Sequence, residues 1–143
     1  MIGGVTSLGA ASVKTGLAKW LVDAVLGGMT GWGAVWVVMA ISAFTVVVHL
    51  AIPIAPVINS VLIPPIVLLA MGSGQSPALY ALPVAFTASC AFLLPLDAVP
   101  LITYARGYYR TIDMLVPGAV ISLVWVAWMT VLMVLLGPRL GFF

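Results

Sequence analysis

From Ala24 to Leu96 the chain contains no Asp, Glu, Lys or Arg. A stretch that long without a charge cannot form the outside of a water-soluble domain, where about a quarter of residues are charged. The whole chain follows the same pattern: of 143 residues, 64% are hydrophobic and 6% charged, with a mean hydropathy of +1.31. A folded chain this short still exposes much of its area, so that area must face lipid. The composition therefore indicates an all-α integral membrane protein with the bilayer as its first partner, and excludes a soluble enzyme.

The charges are Lys14, Lys19, Arg106, Arg110, Arg139, Asp23, Asp97 and Asp113, a net +2 too scattered for a nucleic-acid surface. Cys90 is alone, which rules out an intramolecular disulfide or a cysteine metal cluster and reads as a small buried hydrophobe. The N-terminus lacks the basic region and apolar core of a signal peptide. No Gly-rich phosphate loop, zinc-spaced set or nucleophile–His–acid arrangement occurs, so no enzyme activity and no cofactor is indicated.

Proline and glycine divide the apolar chain. Residues 1–32 read as a short N-terminal segment plus an amphipathic helix from Lys14 to Leu26, lying in the headgroup plane with Trp20 and the lysines at that depth and ended by Gly27-Gly28. Residues 33–143 read as the membrane domain. A spanning helix over 34–52 is broken in polarity only by Ser42, Thr45 and His49. Pro53, Pro56, Pro64 and Pro65 then crowd one segment, and each removes a donor and clashes with the preceding turn. That density predicts a re-entrant helical hairpin over 53–72. Residues 78–105 are too long for one crossing and carry Pro95-Leu96-Asp97-Ala98-Val99-Pro100, which predicts a broken helix. Arg106 to Asp113 reads as an interfacial segment, and 114–136 as the final span.

Charge chooses the topology at this stage. With a re-entrant hairpin, Lys14, Lys19, Arg106 and Arg110 share a face and only Arg139 opposes them; with a full crossing the split is three against two. The positive-inside rule favours the first arrangement and puts the C-terminus outside.

Asp97 is the most informative residue, because a carboxyl inside the bilayer costs at least a few kcal/mol and faces a bundle interior or a wet cavity. It either handles an ion, proton or substrate, or sits neutral and bonded to carbonyls freed beside Pro100. The ends of half-helices suit such a site, attracting anions at the N-terminus and cations at unwound carbonyls. Asn59 and Ser60 either contribute polar contacts or only satisfy backbone freed by proline. His49, with no second histidine or nearby carboxylate in sequence, reads as structural. No span shows a polar stripe suited to a channel.

The order of parts then becomes recognisable. The helix Lys14-Thr15-Gly16-Leu17-Ala18-Lys19-Trp20-Leu21, the proline-interrupted hairpin, Phe92-Leu93-Leu94-Pro95 followed by Pro100, Gly107-Tyr108-Tyr109 and Asp113-Met114 resemble the C-terminal part of the divalent anion/sodium symporter family, carriers of dicarboxylates, citrate and sulfate. The resemblance covers essentially all 143 residues. It implies half of an inverted-repeat, elevator-type transporter, usually dimeric, with a small anionic substrate and coupling to sodium, protons or anion exchange. It puts the substrate or ion site, sodium included, at the hairpin tip (Pro53, Ile54, Ala55, Pro56), at Asn59 and Ser60, and at the break formed by Asp97, Ala98, Val99 and Pro100. The family's Ser-Asn-Thr-like tip is absent here, and of its Thr-Pro-Pro-Asn-like break only Pro100 is kept. One repeat supplies half a site, so a missing first repeat or a partner chain is expected. The alternative from another class is a small helical membrane subunit or fragment that scaffolds a complex and transports nothing. A bacterial inner membrane is the expected location.

Overall fold

The computed structural model describes residues 7, 11, 14–16, 20, 23–24, 27–29, 32–90, 92–94, 98–107, 109–139 and 141. Most of the expected amphipathic helix, and Asp97, lie outside the described residues; Gly27–Met29 forms one 3₁₀ turn where that helix was expected to end. Five α-helices follow: α1 (Ala34–Ala51), α2 (Ala55–Gly72), α3 (Pro77–Thr87), α4 (Ala98–Ala105) and α5 (Thr111–Leu136). Among the described residues there is no strand.

Three of these helices, α1, α2 and α5, are long and apolar enough to cross a membrane. At 1.5 Å per residue, 18 residues reach about 27 Å, close to the ~30 Å hydrocarbon core. Their outward residues confirm what surrounds them. Ile112, Val116, Leu123, Val124, Trp128 and Leu135 are all exposed on α5, a surface that only lipid would cover without cost.

The re-entrant hairpin expected over 53–72 is not what forms. The chain reverses earlier, at Ile52–Ile54, and Ala55–Gly72 is a single helix with Pro64 and Pro65 inside it. Pro53 explains the reversal, because it biases Ile52 away from helix (φ −129°, ψ 89°). Pro56 sits in the first turn of α2, where a missing N–H is harmless. Pro64 and Pro65 free the carbonyls one turn earlier, a loss that membrane helices tolerate when packing holds them.

At the far end of α2, Gly74 takes the left-handed conformation (φ +69°). This lets the Gln75 N–H bond the Ala70 carbonyl at 2.9 Å and turns the chain into α3. The core lies between α1, α2, α3 and α5 and is built from Val38, Ile41, Ile58, Leu62, Ile66, Leu79 and Val84 with Met129 and Met133.

Two contacts fix the helix directions. Trp125 meets Thr87, while Gly118 lies against the backbone of Phe92 and Leu93. As α5 advances, its partner segment recedes, so α5 is antiparallel to α3. The last turn of α1 lies beside Cys90–Leu94, so α1 and α3 run the same way. The start of α1 and the end of α5 therefore share one end of the bundle, and Arg110 marks the other. With α2 a full-length helix, chain order puts Lys14, Lys19 and Arg139 against Arg106 and Arg110. That three-to-two split removes the basis for placing the C-terminus outside.

Candidate functional site

Polar side chains inside an apolar bundle are the first place to look for chemistry. On α1, Ser42, Thr45 and His49 recur at spacings of three and four, hence on one face, and all three are buried. Thr45 donates to the Ile41 carbonyl at 2.8 Å. From α5, Ser122 and Thr130 also turn inward, with Thr130 donating to the Val126 carbonyl at 2.8 Å. From α3, Thr87 is buried and accepts the indole N–H of Trp125 at 3.3 Å.

The remaining groups are less satisfied. Among the described residues, neither ring nitrogen of His49 has a hydrogen-bond partner, nor do Ser42 Oγ, Ser122 Oγ and Asn59 Oδ1. His49 is only 5% exposed. A buried polar group left unpaired costs on the order of 1–3 kcal/mol, and His49 carries two such atoms.

His49 faces a small cavity lined with Val46, Leu50, Cys90, Phe92, Leu93 and Leu94. Its volume of about 10 Å³ is at the lower limit for a single water. Regular backbone is interrupted twice close by in the chain, and only the second interruption contributes residues to the cavity wall. The first is the Ile52–Ile54 reversal, immediately after the last turn of α1. The second begins where α3 ends: the Ser89 and Cys90 amides bond only three residues back, to Phe86 and Thr87, at 3.3 and 2.9 Å. The Cys90 thiol donates to the Phe86 carbonyl at 3.6 Å.

The expected site residues are distributed unevenly about this point. Pro53, Ile54, Ala55 and Pro56 do lie at a reversal, though it joins two long helices instead of forming the tip of a short hairpin. Ile54 and Pro56 are exposed, and Pro53 and Ala55 half-buried. Asn59 is half-buried with its carbonyl oxygen unpaired, whereas Ser60 donates to the Val57 carbonyl at 2.8 Å and so serves the backbone. Ala98, Val99 and Pro100 are not unwound: they form the first turn of α4, and among the described residues the non-helical backbone lies upstream, at Ala88–Cys90 and Phe92–Leu94. Beyond them Leu101–Ala105 are exposed. Asp97 is outside the described residues.

Tyr104 and Tyr109 rings lie 6.1 Å apart, Thr103 and Tyr109 hydroxyls share a hydrogen bond at 3.0 Å, and the Asp113 carboxylate accepts the Arg110 N–H at 2.9 Å to cap α5.

Cys90 is buried, in keeping with its reading as a small buried hydrophobe. The spacing of Ser42, Thr45 and His49 marks one helix face, and the structure turns that face inward. No protein-family model, no curated protein and no solved structure matches the chain.

Proposed function

We propose that this chain is the C-terminal part of a secondary active transporter for small anions, such as di- or tricarboxylates, in a bacterial inner membrane. The observation that carries this reading is the break in regular backbone after α3, where Cys90 and Phe92–Leu94 line a cavity together with the buried His49. Carriers need such a place. Non-helical backbone at membrane depth is tolerated only where protein or water covers it, and free carbonyls and amides there can bind ions and substrate. The family resemblance of Ala91–Asp113 and Lys14–Leu21 supports the same reading, as does the position of Pro53–Pro56 at a reversal. A second repeat or a second copy of the chain would complete the site, and coupling would be to sodium, protons or a counter-anion.

Purified protein in liposomes, given labelled succinate or citrate with an imposed sodium or proton gradient, should accumulate the label saturably. Uptake no greater than in protein-free vesicles, for every substrate and gradient, would leave the scaffolding subunit as the better description.

A further inference from the structure

We propose that His49 is a proton-binding site inside the bundle and, resting on the carrier reading above, that it is where a coupling proton is held. Four observations lead there. The imidazole is buried, both its nitrogens lack a partner among the described residues, and it opens on a cavity. It also occupies the last turn of α1, where unpaired carbonyls at the negative end of the helix attract positive charge.

The cavity's side chains discriminate between ions. They offer one imidazole and one thiol among aliphatic and aromatic groups, and no oxygen. A hard cation such as sodium would need several oxygen ligands, which the backbone alone would have to supply. A proton needs only one nitrogen lone pair, which a neutral imidazole carries.

Few other charges compete. Cys90 lines the same cavity. Helix α2 carries no titratable side chain, and the titratable side chain of α3, Tyr80, lies in its first turn, at the far end from Cys90. On α5, Asp113 is exposed and engaged with the Arg110 amide. Tyr104 on α4 is exposed. Asp97, three residues beyond the cavity residue Leu94, is outside the described residues.

The chain has a single histidine, so histidine-labelled, tag-free protein in nanodiscs gives one set of imidazole NMR signals. These should shift as the bath is taken from about pH 8 to about pH 5 and the ring gains a proton. Ring signals unchanged across that range would overturn the site, whether or not the protein transports. The coupling is read separately, from labelled succinate uptake into liposomes with and without an acid-outside gradient. Wild-type uptake should rise with the gradient, while His49→Gln should show equal rates in both conditions. A titrating imidazole with no uptake by the wild-type protein keeps the proton site and refutes the carrier. Gradient-stimulated uptake that survives in His49→Gln refutes the coupling role. Should the variant misfold, the wild-type titration still decides the site.

Discussion

The indole N–H of Trp125, on α5, donates to the hydroxyl of Thr87 in the last turn of α3 at 3.3 Å. This bond joins residues 38 apart in sequence and ties α5 to the point where α3 gives out. Replacing Thr87 by Val keeps the shape and leaves a buried donor without its acceptor. We expect Thr87→Val to destabilise the bundle by about 1 kcal/mol. A double-mutant cycle with Trp125→Phe should give a coupling of about 0.6 kcal/mol, the usual size inside membranes. Unfolding equilibria in mixed micelles would measure both; zero coupling would mean the contact contributes nothing.

Gly118 brings α5 backbone to backbone with the segment after α3. A Cβ at this position would overlap the Phe92 carbonyl oxygen and lie 2.8 Å from its carbon and 2.9 Å from Leu93 Cα. None of these atoms belongs to a flexible side chain. Gly118→Ala should therefore cost about 1–3 kcal/mol, as overpacking does. Gly72→Ala, with nothing within 4 Å, is the control and should change stability by less than about 0.5 kcal/mol. Thermal unfolding followed by tryptophan fluorescence would compare them.

The length of α2 predicts where its ends emerge. In a Cys90→Ala background, cysteines placed at Ile54 and Ser73, both exposed, should react with an impermeant maleimide from opposite sides of sealed vesicles. Labelling of both from the same side would restore the re-entrant hairpin.

Asp97 remains the acid nearest to the cavity in sequence. If transport depends on it, Asp97→Asn should lower gradient-driven succinate uptake by at least about tenfold, equivalent to 1.4 kcal/mol, and alter its pH dependence. Unchanged uptake with an unchanged pH profile would remove it from the site.

Those tests reach the residues where sequence and structure part. The apolar runs made α1 and α5 legible almost to the residue, since nothing else explains such lengths without charge. Pro53 marked a true reversal. Pro64 and Pro65 misled, because membrane helices keep internal prolines where neighbouring helices, side chains or ordered waters re-satisfy the freed carbonyls. Of the segment read as a broken helix, Pro95–Asp97 lie outside the described residues; among the described ones helix ends at Thr87 and is present again from Ala98. The polar face of α1 was missed for a different reason. Whether a serine, a threonine and a histidine point into a bundle or out to lipid depends on neighbours that one helix cannot reveal.

The short reach of α3 has a consequence for the surrounding membrane. Eleven residues rise only about 16 Å, roughly half the oil layer, and the peptide groups that follow must find water or protein to bond. Deuterium should thus reach Phe92–Leu94 well before the amides of Ile58–Leu62 in the middle of α2. Because Cys90 lies level with the last turn of α1, those peptide groups open toward the Arg110 end, and water from that compartment reaches them first.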